Sequence, residues 1–347
     1  LDMANSSTNV LNGPVLAELK ELLPLLEQEN PHGAVFRSGK KSGFIAGADI
    51  KEFSHFNSES QARDRIRSVR PIFKQLEELA FPTVALISGF CLGGGLEFAL
   101  SCRYRVAQDQ PNTKLGLPEV KLGIHPGFGG TVRLPKLIGD LPALNLMLTG
   151  KSVDSQRAKK LGIVDWVVPG RHLNRCAINL INKNPLPHEA TWMQRLPSFA
   201  PWRWLVAYLL EKKVAQKAPK SHYPAPHAII DLWRDGEFLA EDELYNQEIN
   251  SIAHLFMGAP AQNLIRLFHQ GEQMKRLGKG STNQAKRLHV IGAGVMGGDI
   301  AAWCAWNGLT VTLQDSQEKM ISRTLARAAK LFQRKSRDRR QVQAALD

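Results

Sequence analysis

The chain has 347 residues, 43% of them hydrophobic and 22% charged, with a formal net charge of +13 at pH 7. That balance belongs to a folded, water-facing protein long enough for two domains or more, and it excludes a low-complexity or disordered chain. No run of eighteen apolar residues occurs; Val84 to Leu100 comes nearest, and its glycines and Glu97 exclude a transmembrane segment there.

The start, LDMANSS, has neither the basic opening nor the apolar core of a leader peptide. Four cysteines, Cys91, Cys102, Cys176 and Cys304, have no C-x-x-C spacing and sit in apolar-flanked segments. They read as reduced, buried thiols of a cytoplasmic protein, with no metal site. Much of the basic excess lies in Arg323 to Arg340, a helical segment carrying eight Lys or Arg. Without interleaved aromatics or a nucleic-acid-binding motif it reads as a solvated helix face, so no nucleic-acid partner is expected. A basic surface also suits a phosphate-bearing substrate.

In chain order, Pro14 to Glu29 has leucines at helical spacing, with a kink expected at Pro24. Gly33 to Ser38 reads as a short strand, and KKSGFIAGADIKEF as a loop bending at Gly47 into a helix, with Asp49 placed to cap it. Residues 59–80 read as one amphipathic helix ending before Phe81-Pro82. Thr83 to Phe90 is β-branched and apolar, a buried strand. It leads into Gly93, Gly94 and Gly95, where a bare backbone can approach a ligand and present N–H groups at a helix N-terminus.

Glu97 falls in the first turn of that helix and Glu119 follows behind Pro118. Singly, a first-turn Glu is most often a dipole complement, a triple glycine a packing device and an isolated Glu a surface acid. Together, two carboxylates facing backbone donors suit acid/base chemistry at a carbon beside a carbonyl. Ile124 to Leu134 then turns at Gly127, Gly129 and Gly130 and opens another helix, with His125 read as a pocket wall. Lys151 to Pro169 reads as helix, Gly162 cap and strand.

Residues 185–280 read as helices separated by proline and glycine, with Trp192, Trp202, Trp204 and Trp233 serving core and interdomain packing. GKGSTNQAK, 278–286, reads as a flexible joint. Then comes a strand, Gly292-x-Gly294-x-x-Gly297, a helix, Gly308, a second strand and Asp315, 23 residues after the first glycine. In that setting the glycines allow the tight turn, the approach of a pyrophosphate and close helix–strand packing, while the acid takes ribose hydroxyls and favours NAD over NADP.

The runs FIAGADI, GGGLE, GLPEV and LGIHPGFGGTVRLPKLIG, in that order and spacing, resemble the crotonase (enoyl-CoA hydratase/isomerase) superfamily. The helices and dinucleotide motif that follow resemble the multifunctional fatty-acid β-oxidation α-subunits, whose crotonase part precedes a 3-hydroxyacyl-CoA dehydrogenase part. The resemblance implies an α/β fold class: a crotonase-like ββα spiral core over 1–184, a helical linker region over 185–286, and over 287–347 the first βαβ portion of a Rossmann domain. It implies a backbone oxyanion hole from the N–H groups of Ala48 and Gly94, catalytic carboxylates at Glu97 and Glu119, and NAD contacts at Gly292, Gly294, Gly297 and Asp315. The implied reaction is reversible hydration of a 2-enoyl coenzyme A thioester to the 3-hydroxyacyl form, with 3-enoyl to 2-enoyl isomerisation beside it and NAD-dependent dehydrogenation in the longer chain.

Two acids are what a hydratase needs, whereas many isomerases manage with one. The implied partners are the acyl-CoA substrate and a thiolase β-subunit. The alternatives are isomerisation alone, thioester hydrolysis, or a non-catalytic basic binding protein on the same fold. The resemblance also implies a strand pair of which LDMANSSTNVL is only the tail, and the stretch 287–347 is short beside a whole domain of roughly 150 residues, so the chain reads as truncated at both ends, with the dehydrogenase His–Glu pair beyond Asp347.

Overall fold

The structure is a computed structural model and describes residues 1–53, 56–199, 202–277, 285–336 and 338–347. The chain forms two compact units, Leu1–Glu272 and Gln273–Asp347. Most of the expected joint, residues 278–284, lies outside the described residues.

Among its described residues the first unit contains eight strands: β1 (Ala34–Arg37), β2 (Gly43–Ile45), β3 (Thr83–Ile87), β4 (Phe90–Leu92), β5 (Tyr104–Gln108), β6 (Lys114–Gly116), β7 (Ser152–Asp154) and β8 (Trp166–Val168). They build two four-stranded sheets, β1-β3-β5-β8 and β2-β4-β6-β7. From β1 to β6 the chain alternates between the sheets, each pair of strands being followed by helix or turn, which is the ββα spiral expected. All pairings are parallel except β6 with β7. Parallel strands need both faces covered, and β3 accordingly reads TVALI with every residue buried.

Three local expectations are corrected. Thr83 to Phe90 is two strands in different sheets, because Gly89 takes φ +60° and lies against Gly43, where a Cβ would sit 2.7 Å from the Gly43 Cα. Residues 59–80 hold two helices, Glu59–Arg67 and Arg70–Glu78. Pro71 lacks the N–H needed to continue a helix and starts the second one instead. The helix Gly13–Glu29, capped by the Asn12 side chain on the Val15 N–H, holds Pro24 within its span. Lys151 to Pro169 includes a short strand, β7, before its helix Ser155–Leu161.

The core lies under the helix Gly94–Ser101, which is apolar apart from Glu97 and Ser101 and buried at all eight positions. Its Phe98 ring packs against Phe36, Phe44 and Phe73 at centroid distances of 5.3, 6.2 and 5.8 Å. Gly95 presses on β2: a Cβ there would overlap the Ile45 carbonyl and approach the Ile45 Cβ to 2.7 Å. Gly95→Ala is therefore expected to cost about 1–3 kcal/mol by overpacking, read as a lower urea midpoint at unchanged m-value. A midpoint equal to wild type would contradict this packing.

Among the described residues from 185 to 277, five α-helices occur: Trp192–Arg195, Trp202–Ala215, Pro224–Asp235, Glu241–Met257 and Ala259–Leu277. Of the four tryptophans only Trp233 is buried, whereas Trp192, Trp202 and Trp204 are 72%, 58% and 56% exposed, so the expectation of core packing holds for one of them. The helix Trp202–Ala215 turns only Arg203 and Ala207 fully inward, which leaves its aromatics outside. Cys91 and Cys102 are buried free thiols, but Cys176 and Cys304 are only half-buried, again short of the expectation.

In the second unit β9 (Arg287–Ile291) and β10 (Thr310–Gln314) pair in parallel, joined across the helix Val295–Trp306. The basic helix Glu318–Lys335 follows with its Lys and Arg side chains largely exposed, as expected; Arg327 also donates to the Gly294 and Val295 carbonyls at 3.2 Å, and the Lys335 ammonium lies 3.9 Å from the Trp303 ring centre.

Candidate active site

Two neighbouring parallel strands set the floor of the site. Because β2 pairs in parallel with β4, both release their chains at the same sheet edge, one into Ala46-Gly47-Ala48 and the other into Gly93-Gly94-Gly95. Gly47 has φ +116° and Gly93 φ +53°, and a Cβ on Gly93 would come 3.6 Å from the Gly47 Cα. Leu11 brackets Ala48, donating to the Gly47 carbonyl at 2.9 Å and accepting from the Asp49 N–H at 3.0 Å. In such a ladder the bracketed residue's own N–H points to the other side. Gly94 opens its helix, where an N–H has no intrahelical acceptor. Ala48 and Gly94 both border one cavity.

Glu97 and Glu119 border the same cavity, about 630 Å³ counting the space open to solvent at its mouth and otherwise lined mainly by Ile50, Ile66, Leu122, Phe128, Ile252 and Phe256. Glu97, 2% exposed, accepts the N–H groups of Phe128 and Gly130 on one oxygen at 2.7 and 2.8 Å. Burial pushes its carboxyl well above the usual carboxylate range, and the charges of Glu119 and Glu248 push the same way; the two N–H groups oppose them. Glu119 sits at the head of the 3₁₀ turn Glu119–Leu122, with one oxygen so near Gly93 that a Cβ there would be 2.7 Å away. Its Oε2 is buried with no hydrogen-bond partner among the described residues, and burial pushes the carboxyl up to about 8. Burial thus favours the protonated form of both carboxyls, opposed at Glu97 by its two N–H donors.

His125 is a cavity wall, as expected. Its Nδ1 donates to the Pro126 carbonyl at 2.6 Å and its Nε2 accepts from the Ser251 hydroxyl at 2.9 Å, a neutral tautomer whose pKa burial pushes down to about 4. Of the lysines flanking FIAGADI, Lys40 is tied to Asp2 at 2.6 Å.

The sequence reading missed one residue beside this cavity. Glu248, 1% exposed on the helix Glu241–Met257, accepts the N–H of Gly129 at 2.6 Å and of Thr131 at 3.0 Å, and also the Thr131 hydroxyl. Tyr245, Ile249, Ile252 and Phe256 of this helix are buried in the same register. A carboxylate inside an apolar helical stripe was the signal that could have found it.

In the second unit, the four residues singled out for NAD come together. Gly292 takes φ +101°, and a Cβ on Gly292 or Gly294 would meet nothing within 4 Å, so the backbone there is open to a large group. A Cβ on Gly297 would overlap the Gly292 carbonyl, the close helix–strand packing expected. Asp315 accepts the N–H of Ala293 at 2.6 Å, which sets the acid against the glycine turn. An exposed turn at a helix N-terminus with an adjacent carboxylate fits a dinucleotide's pyrophosphate and ribose.

Comparison with known proteins agrees with both halves. Residues 2–191 match the enoyl-CoA hydratase/isomerase family, and residues 287–347 match the 3-hydroxyacyl-CoA dehydrogenase NAD binding domain. The fatty acid oxidation complex subunit alpha of Aliivibrio fischeri is 39% identical over 306 residues, 87% of this chain and 44% of that protein. Its counterpart in Shewanella baltica (strain OS185) is 33% identical over 355 residues, 100% of this chain and 50% of that protein. The chain therefore spans about half the length of these relatives. Two solved structures share the fold: a putative enoyl-CoA hydratase from Streptomyces avermitilis (TM-score 0.54, 21% identity, 82% of this chain and 88% of that one) and an enoyl-CoA hydratase from Bacillus halodurans (TM-score 0.53, 21% identity, 74% and 90%). By its spiral core and the family match across residues 2–191, the chain belongs to the enoyl-CoA hydratase/isomerase family.

Proposed function

We propose that the first unit hydrates 2-enoyl-CoA thioesters reversibly, with Glu97 and Glu119 as its acid/base pair. The observation that carries this is two buried carboxylates on one apolar cavity bordered by Ala48 and Gly94, one held by two backbone N–H groups and the other with an oxygen that has no partner among the described residues. The thioester oxygen accepts the N–H groups of Ala48 and Gly94. Glu97 takes a proton from water as its oxygen bonds to C3, and the C2–C3 π electrons move toward the thioester oxygen. Glu119 then delivers its proton to C2, completing addition of H and OH. An oxyanion donor of this kind is worth roughly 3 kcal/mol in the transition state.

The same pair supports 3-enoyl to 2-enoyl isomerisation, since shifting the double bond needs one group to take a proton and return it at another carbon. For the second unit we propose NAD binding at Gly292, Gly294, Gly297 and Asp315. Bound NAD supplies a hydride acceptor for the 3-hydroxyacyl product. The relatives' name supports a place as the α-subunit of a fatty-acid oxidation complex, for which a thiolase is the proposed partner subunit and the cytoplasm the proposed location. Among the described residues no helix is long and apolar enough to cross a membrane.

The test is product analysis after incubation with crotonyl-CoA in deuterium oxide. The expected product is the intact 3-hydroxyacyl thioester carrying one deuteron at C2. Release of free coenzyme A thiol instead would replace hydration with thioester hydrolysis.

A further inference from the structure

The four successive N–H groups from Phe128 to Thr131 are shared between two carboxylates in strict alternation. Phe128 and Gly130 donate to Glu97, at 2.7 and 2.8 Å, while Gly129 and Thr131 donate to Glu248, at 2.6 and 3.0 Å. These N–H groups lead into the helix Gly130–Ile138, so no intrahelical carbonyl competes for them. The loop is thus pinned from both sides, by Glu97 on the cavity side and by Glu248 from the helix Glu241–Met257. Gly129 has φ +98°, and a Cβ there would overlap the Arg133 guanidinium, so the loop has little room to take another shape.

We infer that Glu248 is a positioning residue for the hydration reaction: by holding the Gly129 and Thr131 N–H groups it fixes the two N–H groups that orient and charge Glu97. The inference rests on the hydratase reading above and adds to it a residue outside the stretch 2–191 that matches the family. Glu248 faces the Arg133 guanidinium and the carboxylates of Glu97 and Glu119. Arg133 is itself held by Glu77, beside the Tyr245 ring, and donates to the Phe128 carbonyl of the same loop. His125 stands on the other cavity wall, neutral and bound to Ser251 of the Glu248 helix. With a cation on one side and two carboxyls on the other, Glu248 also raises the affinity of Glu97 and Glu119 for a proton.

Glu248→Gln keeps the side-chain length but sets an amide N–H against one of the backbone donors. The expected result is a fall in kcat for crotonyl-CoA of ~10²-fold, as for a catalytic group displaced by about an ångström, with KM changed little. Removing the like charge should also move the alkaline limb of the kcat/KM profile to lower pH. In a Glu97→Gln background the same change should have almost no further effect, because Glu248 acts through Glu97. An unchanged kcat and pH profile, or an equal loss in both backgrounds, would overturn the assignment. Should Glu248→Gln not fold, Thr131→Val removes one donor while keeping the buried charge; it is expected to lower kcat severalfold, only when Glu97 is present, and full activity would overturn the idea.

Hydrogen exchange at the Phe128 and Gly130 amides reads the same contact without turnover. Faster exchange in Glu248→Gln (in Thr131→Val, should that variant be the one that folds) is expected, and retained protection would overturn the positioning role. A wild type that leaves crotonyl-CoA untouched would strike at the hydratase reading alone, since the exchange result still decides what Glu248 holds.

Discussion

Replacing Glu119 by Gln is expected to lower kcat for crotonyl-CoA hydration by ~10³-fold, within the range for a lost general acid, while KM stays within a small factor. The shape is preserved; what disappears is the proton destined for C2. Because Oε2 of Glu119 has no partner among the described residues, the amide breaks no hydrogen bond there. The carboxyl's pKa is raised from 4.5 to about 8 by burial, so the folded state binds the proton more tightly than the unfolded one. The stability linked to that proton is fully present below pH 4.5 and is lost as pH rises through about 8. The Gln variant carries no such loss, so above pH 8 it should resist urea at least as well as wild type. A drop in activity at undiminished stability isolates the chemistry. In wild type, kcat/KM should fall as pH rises through the same region, since the acid must be protonated to act. A Gln variant that hydrates at the wild-type rate would remove Glu119 from the mechanism.

The second large effect is at Glu97. Glu97→Gln retains one oxygen for the Phe128 and Gly130 N–H groups but cannot take a proton from water, and hydration is expected to fall by ~10³-fold or more. Isomerisation of a 3-enoyl thioester needs only a single carboxyl to move its proton, so Glu97→Gln should impair it less than hydration. Measuring both reactions on one preparation checks the division of labour. A variant that loses isomerisation yet keeps hydration would reverse the two assignments.

Much of this site was legible because its parts are local and punctuated. Gly93 to Gly95 must lack side chains where β2, Glu119 and Phe128 crowd the backbone. Pro118 and the glycines at 127, 129 and 130 mark turns, so the carboxylates between them could be placed by spacing. The dinucleotide turn was legible for the same reason, with Gly292, Gly297 and Asp315 fixed by one strand–helix–strand unit. Glu248 was not, because its partners lie 117 and 119 residues away and nothing local in 241–257 names them. The exposed tryptophans misled for a related reason: apolarity alone does not tell which helix face finds a neighbour. The break at Gly89 was marked by Ser88-Gly89 but passed over, since Thr83–Ile87 before it and Phe90–Leu92 after it are both apolar.

The most direct measurement of the central claim is the loss of enoyl-thioester absorbance when the purified protein meets crotonyl-CoA. The two-carboxylate mechanism predicts steady loss to an equilibrium that can be approached from the 3-hydroxyacyl side as well. A folded protein that leaves the absorbance unchanged from either side would contradict it.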